Sequence, residues 1–125
     1  MAKPKILIAD DSRSMQVFYN LQLPDDQFDK RIVSNGQEAL NTYALWEPDL
    51  ILLDINMPVL DGFSTLQKIR QEMKDTAVLV LMITSQSDKD KVLACAKLGI
   101  QGYIVKPFKK EELLSKISEC LKIII

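Results

Sequence analysis

Short aliphatic runs alternate with amphipathic stretches along the whole chain, and this alternation limits the possible folds more than any other feature. The run Lys5–Ala9 is apolar after its first residue, as expected of a strand that is buried on both faces of a sheet. Similar runs occupy residues 50–53, 77–83 and 103–105, whereas the more polar residues 30–33 predict an edge strand. The sequence therefore predicts a set of short strands that recur along its length.

Apolar residues at helical spacing fill the segments between and after these runs. Pro48 cannot extend the second such segment, and Gly99 is well placed to end the fourth. Asp11 or Ser12 is suited to cap the first, because both residue types are preferred at helix N-termini. The apolar groups are Met15, Phe18 and Leu21; Ala39, Leu40, Tyr43 and Ala44; Phe63, Leu66 and Ile69; Val92, Cys95 and Ala96; and Leu113, Leu114, Ile117, Leu121 and Ile124.

Strands that alternate with helices predict an α/β fold with a doubly wound, parallel sheet and helices on both faces. Right-handed crossovers favour the flavodoxin-like strand order 2-1-3-4-5. A chain of 125 residues fits one domain, so we expect residues 1–125 to form a single unit.

Charge and hydropathy narrow the possible partners and location. The formal net charge of −1 lacks the basic excess of most nucleic-acid binders, so we expect no nucleic-acid partner. No run of about 18 apolar residues and no signal peptide is evident, so we expect a cytoplasmic protein without a membrane partner. The two cysteines, Cys95 and Cys120, fit a reduced compartment.

Reactive or charged residues follow four of the predicted strands. Asp10 and Asp11 follow the first strand, Asp54 the third, Thr84 the fourth and Lys106 the fifth. In an open α/β sheet the functional crevice lies outside the carboxyl ends of the strands, at the switch point between the first and third strands. We therefore expect these five side chains to lie at one edge of the sheet.

Each of these residues also has an ordinary structural explanation. Asp11 could cap a helix, Asp54 with Pro58 and Asp61 could form a turn, and Lys106 could be a solvated surface lysine. Their shared position at strand ends favours a common site instead.

A cluster of carboxylates repels itself unless a cation compensates, and Mg²⁺ prefers such oxygen ligands. A lysine beside them suits a phosphate group, and an aspartate can act as a nucleophile that forms an acyl phosphate. The chain contains no histidine, which excludes histidine catalysis within the chain and means that any phosphohistidine donor is another molecule. The strand ends therefore predict phosphoryl transfer that depends on Mg²⁺.

Four motifs resemble the signature of receiver domains of two-component response regulators, in order and over essentially the whole chain. The motifs are IADDS at 8–12, DINMP at 54–58 with DG at 61–62, ITS at 83–85 and GYIVKPF at 102–108. The resemblance implies that Asp54 is phosphorylated and that Asp11 binds Mg²⁺ directly. It also implies that Asp10 binds Mg²⁺ mainly through water, and that Asp54 and the backbone carbonyl of Asn56 complete the set of protein ligands.

The resemblance implies further roles at the other strand ends. Thr84 and Lys106 would contact the phosphoryl group, and Tyr103 would turn inward as an aromatic switch when Thr84 moves. A cis peptide is expected between Lys106 and Pro107. Asn56 and Gln86 match positions that tune the lifetime of the acyl phosphate, and Ser85 stands where a small residue, often alanine, is expected.

As a receiver, the chain would be a signalling switch rather than an enzyme. It would take a phosphoryl group from a histidine kinase or a phosphohistidine protein, and it would change the face made by the fourth helix, fifth strand and fifth helix to control a partner protein. One alternative is a Mg²⁺-dependent phosphohydrolase with an aspartyl-phosphate intermediate, although dehalogenase-type phosphatases have an acid where this chain has Asn56. The other alternative is an interaction module that is not phosphorylated.

The C-terminal residues 121–125 are unusually apolar. Leu121 and Ile124 continue the stripe of the fifth helix, whereas Ile123 and Ile125 fall off it. This pattern suits a buried helix end, a homodimer or partner contact, or a receiver cut from a longer protein.

Overall fold

A computed structural model describes residues 2–124 and shows one parallel sheet of five strands. The strand order is 2-1-3-4-5, and each neighbouring pair is parallel, so the predicted α/β, flavodoxin-like fold class is confirmed. The strands are β1 (Lys5–Ala9), β2 (Asp29–Val33), β3 (Leu50–Asp54), β4 (Leu79–Thr84) and β5 (Gly102–Val105).

Five α-helices connect or follow the strands. Ser12 is the N-cap of the first helix, and its Oγ accepts a hydrogen bond from the backbone N of Met15 at 3.4 Å, so Ser12 rather than Asp11 caps it. A π-helical segment, Lys68–Glu72, extends the third helix, and a short 3₁₀ turn, Gln86–Asp88, precedes the fourth. The helices are α1 (Arg13–Gln22), α2 (Gly36–Trp46), α3 (Gly62–Gln67), α4 (Lys89–Leu98) and α5 (Lys110–Leu121).

The sheet separates two hydrophobic cores, and β1 contributes to both. Ile6 and Ile8 pack on the side of α1 and α5, while Leu7 and Ala9 pack on the side of α2, α3 and α4. This explains why the strand is continuously aliphatic, since successive residues of a strand point to opposite faces and both faces are covered here. The edge strand β2 is only partly buried, as its polarity predicted.

The start of β4 differs from the prediction by two residues. Asp75 accepts hydrogen bonds through Oδ1 from the backbone N of Ala77 at 2.9 Å and of Val78 at 3.0 Å. These bonds hold the chain in a turn, so β4 begins at Leu79 rather than at Ala77.

Some of the apolar residues at helical spacing are not buried in the structure. Leu21 is exposed and Tyr19 is buried instead, because Tyr19 lies four residues after Met15 and therefore shares its face of α1. Ala44 and Ala96 are also exposed.

The predicted stripe of α5 was wrong beyond Leu121. The helix ends there because Lys122 adopts a left-handed conformation with φ of 56°. Ile124 consequently lies off the helix and is fully exposed. Ile125 lies outside the described residues. Among residues 2–124, none of the helices is long and apolar enough to cross a membrane.

Candidate functional site

The carboxyl ends of β1 and β3 bring three aspartates together. Ala9 pairs with Leu53 across these neighbouring parallel strands, so Asp10, Asp11 and Asp54 leave the sheet at the same edge. One carboxylate oxygen from each lies within 4.8 Å of the others. Asp10 and Asp54 are 1% and 6% exposed, whereas Asp11 is open to solvent.

Lys106 reaches the same cluster from the end of β5. Its Nζ lies 2.8 Å from Oδ2 of Asp54 and 3.0 Å from Oδ2 of Asp10. Its backbone N donates to the carbonyl of Thr84 at 2.7 Å, which ties the residue to the end of β4. The expected cis peptide between Lys106 and Pro107 is present. The side chains of Asp10, Asp11, Asp54 and Lys106 are called the acidic pocket below.

The acidic pocket holds more negative than positive charge. Burial raises the pKa of Asp54; the hydrogen bond from Lys106 opposes this and the charge of Asp10 adds to it, so that the net direction is upward. Burial lowers the pKa of Lys106, but its hydrogen bonds to Asp54 and Asp10 outweigh this and the net pKa is raised. The acidic pocket thus contains one ammonium group and three carboxyl groups, and the ammonium group contacts those of Asp10 and Asp54.

The donor set of the acidic pocket fits a hard divalent cation. All three candidate ligands are carboxylates, which is the chemistry that Mg²⁺ prefers, and Mg²⁺ usually keeps several waters. The exposed side of Asp11 leaves the cluster accessible to such waters.

A glycine allows α3 to begin directly behind Asp54. A Cβ atom on Gly62 would lie only 2.1 Å from the carbonyl oxygen of Asp54, so any larger residue would push the helix away from the acidic pocket. Asp61 caps α3 by accepting a hydrogen bond from the backbone N of Ser64 at 2.7 Å. Asp61 thus caps the start of α3, and Gly62 lets that start lie against the backbone of Asp54.

Thr84 and Tyr103 lie on the neighbouring strands β4 and β5 and line the same groove. Thr84 is buried at the end of β4, and its hydroxyl donates to the carbonyl oxygen of Ser85 at 3.1 Å. Tyr103 is half exposed on β5, where it lines a groove between α4 and β5 together with Thr84 and Val92.

Two residues that contact the side chain of Asn56 were not predicted from the sequence. The amide nitrogen of Asn56 donates to Oδ2 of Asp88 at 2.7 Å, and its amide oxygen accepts from Nζ of Lys91 at 3.1 Å. Asp88 also accepts from the hydroxyl of Ser85 at 2.7 Å. An aspartate at a helix start would ordinarily be assigned to capping, so no sequence signal separated Asp88 from a structural residue. Gln86, which was expected beside the site, is exposed.

Comparison with known proteins identifies the family. The family model described as response regulator receiver domain matches residues 6–118 of this chain. The chemotaxis protein CheY of Halobacterium salinarum is 34% identical over 121 residues, which cover 97% of this chain and 98% of that protein. The DNA-binding response regulator MtrA of Mycobacterium tuberculosis is 30% identical over 120 residues, which cover 96% of this chain and 51% of that protein.

Solved structures give the same result. The chemotaxis response regulator CheY4 of Vibrio cholerae has a TM-score of 0.86 at 29% identity, covering 95% of this chain and 99% of that chain. A CheY-like response regulator receiver domain protein from Methanospirillum hungatei has a TM-score of 0.88 at 25% identity. The match covers 97% of this chain and 95% of that chain. Several curated relatives are longer: the matched part makes up 50%, 46% and 49% of three of them.

Proposed function

Because the chain belongs to the family of response regulator receiver domains, which are phosphoacceptor signalling switches, we propose that Asp54 is the residue that accepts the phosphoryl group. The observation that supports this most is the convergence of three carboxylates and one ammonium group in the acidic pocket.

Among the two buried carboxylates, Asp54 is the better nucleophile. Both oxygens of Asp10 are engaged, Oδ1 by the backbone N of Ser12 at 2.9 Å and Oδ2 by Lys106 at 3.0 Å. In Asp54 the Oδ2 atom contacts Lys106, but Oδ1 has only a long contact of 3.3 Å with the backbone N of Asn56. An oxygen of Asp54 is therefore the freer of the two to attack phosphorus.

The proposed step is a transfer from phosphohistidine to carboxylate. An oxygen of Asp54 bonds to phosphorus, the bond between phosphorus and the imidazole nitrogen of the donor breaks, and its electron pair stays on that nitrogen. The ammonium group of Lys106 pairs with an oxygen of the transferred phosphoryl group. Receiver domains use Mg²⁺ at an acidic pocket, and here we propose as ligands Asp10, Asp11, Asp54 and the backbone carbonyl of Asn56. The bound cation would neutralise negative charge on the phosphoryl oxygens.

We propose that Thr84 and Tyr103 carry the signal away from Asp54. For Thr84 to donate to the phosphoryl group, its hydroxyl must release the carbonyl of Ser85. That movement would open space for Tyr103 to turn from its half-exposed position into the groove between α4 and β5. The face made by α4, β5 and α5 would then present a different surface to a downstream protein.

The partners follow from this switch. We propose a sensor histidine kinase or a phosphotransfer protein as donor, and a downstream protein on the face made by α4, β5 and α5. We propose that residues 1–125 act as one receiver domain that does not itself bind nucleic acid, given the net charge of −1. The DNA binding named for MtrA belongs to a protein of about twice the matched length. We also propose that the apolar C-terminal residues contact a second copy of the chain in a homodimer.

Phosphorylation by a small donor tests the assignment. After incubation with acetyl phosphate and Mg²⁺, intact-mass measurement should show one added phosphoryl group in the native chain and none in Asp54→Asn. Asp49→Asn, an exposed aspartate just before β3, is the matched control and should react as the native chain does. A phosphohydrolase would instead turn over added phosphate esters, and an interaction module would gain no mass; either result would reject the proposal.

A further inference from the structure

The side chain of Asn56 connects the phosphoacceptor to the start of α4. Its amide group is held at both ends, by Asp88 at 2.7 Å and by Lys91 at 3.1 Å. Its backbone N contacts Oδ1 of Asp54 at 3.3 Å. The side chains of Asn56, Ser85, Asp88 and Lys91 are called the Asn56 latch below.

The side chain of Asp88 contacts the other members of the Asn56 latch, including Lys91 of α4 at 3.6 Å, but it does not cap its helix. It occupies the N-cap position of α4, yet its side chain makes no capping hydrogen bond. Such a bond ordinarily stabilises a helix start. The carboxylate instead accepts from Asn56 and from the hydroxyl of Ser85, and only 7% of the residue is exposed.

Hydrogen bonds lead from Asp88 back to Thr84. Ser85 is bound to Asp88 through its hydroxyl at 2.7 Å and through its carbonyl, which accepts from the backbone N of Asp88 at 3.1 Å. The same carbonyl accepts from the hydroxyl of Thr84. Because Asn56 lies two residues after the end of β3, the latch ties the loop after β4 to the end of that strand.

We propose that Asp88 is a positioning residue that holds the loop after β4 in its unphosphorylated arrangement and thereby limits the rate at which Asp54 is phosphorylated. This inference rests on the proposed function of Asp54. A contact biases a two-state equilibrium only through the difference in its free energy between the states. The bonds of Asp88 to Asn56 and Ser85 supply that difference, because a shift of Thr84 and Ser85 towards Asp54 stretches them.

Alanine substitution of Asp88 tests this role. Asp88→Ala should be phosphorylated by acetyl phosphate roughly threefold to tenfold faster at saturating Mg²⁺, which corresponds to the net free energy of about one ordinary hydrogen bond. Without a donor, the amide NMR signals of Thr84 and Ser85 should move towards their positions in the phosphorylated native chain. Asp90→Ala is the matched control, because Asp90 is an exposed acid in the first turn of the same helix. It should react at the native rate.

A second variant opens the Asn56 latch from the other end. Asn56→Ala keeps the backbone carbonyl but removes the side chain that bonds to Asp88, so it should also speed phosphorylation; a native or slower rate would overturn the inference even if Asp88→Ala fails to fold. If Asp88 acts through Asn56, the rate effects of the two substitutions should be non-additive in the double variant.

Three results would overturn the inference: equal rates and spectra for Asp88→Ala and Asp90→Ala, slower phosphorylation of Asp88→Ala, or fully additive effects in the double variant. A native chain that gains no phosphoryl group would instead overturn the assignment of Asp54, so the two failures are distinguishable.

Discussion

The two edges of the sheet both bury charged side chains, but they balance charge in different ways. At the carboxyl edge, the acidic pocket sets three carboxylates against one ammonium group. At the opposite edge, the guanidinium of Arg70 is buried among backbone carbonyls, donating to Gly99 at 3.0 Å, Asp75 at 2.9 Å and Val78 at 2.8 Å. The carboxylate of Asp75 accepts from Tyr43 and from two backbone N–H groups. Arg70, Asp75 and Tyr43 are called the arginine cluster below.

The comparison shows how a structural charge differs from a functional one. In the arginine cluster one cation and one anion are each satisfied by fixed hydrogen bonds, so the cluster needs no ligand. It ties the π-helical segment after α3 to the residue after α4 and the residue before β4. In the acidic pocket three carboxyl groups face one ammonium group, and we propose that a bound cation compensates the excess of negative charge. Buried charge alone therefore does not mark a functional site, whereas uncompensated charge does.

Removing Arg70 should have the largest effect on stability. Arg70→Met leaves three carbonyls without their donor, and we expect a loss of about 3 kcal/mol or more in the free energy of unfolding. Urea unfolding measures this, with Arg13→Met, an exposed arginine on α1, as control. The folded fraction should still be phosphorylated. A loss below that of the control variant would contradict a structural role for the arginine cluster.

Neutralising Asp54 should change the free energy of unfolding in the opposite direction, by increasing it. Asp54→Asn removes one of the mutually repelling carboxylates, so without Mg²⁺ we expect a gain of about 1 to 2 kcal/mol in the free energy of unfolding. The same change in the arginine cluster, Asp75→Asn, should destabilise the chain. Parallel urea titrations in EDTA measure both variants. If both substitutions changed the free energy of unfolding in the same direction, the contrast between the two edges would be wrong.

Mg²⁺ should stabilise the native chain through the acidic pocket. At about ten times its dissociation constant, Mg²⁺ should add about 1.4 kcal/mol to the free energy of unfolding, because it binds only the folded state. The gain should shrink in Asp11→Asn, which lacks one proposed ligand, and persist in Asp75→Asn. Thermal melts at constant ionic strength measure it; equal gains in both variants would place the ion elsewhere.

The smallest effect concerns the pH dependence of the arginine cluster. Burial raises the pKa of Asp75, but hydrogen bonds from Tyr43 and from the backbone of Val78 and Ala77 outweigh it and the net pKa is lowered. A lowered folded pKa stabilises the fold above the unfolded value of about 3.9, and this stability is lost as pH falls through the folded value. The stability difference between the native chain and Asp75→Asn should therefore be full at neutral pH and shrink below about pH 4. Urea midpoints from pH 3 to 7 would show this; a difference that is constant with pH would exclude ionisation of Asp75 as its source.

The sequence predicted the meeting of Asp10, Asp54 and Lys106, although Lys106 lies 96 residues from Asp10. It did so because strand order follows from a topological rule, and the rule brings the carboxyl ends of parallel strands to one edge. The sequence did not show which apolar face of α1 is buried, because a short helix allows several apolar faces; packing against α5 and the sheet selects Tyr19 rather than Leu21.

The sequence by itself determined the alternation of strands and helices, the edge at which the reactive residues emerge, and the excess of negative charge there. Only the tertiary structure decided that Asp88 bonds to Asn56 and that Arg70 holds the carbonyls of the opposite edge. The physical reason is that periodicity and strand order act on whole elements, whereas a hydrogen bond between two loops depends on ångström-scale placement that no residue pattern encodes.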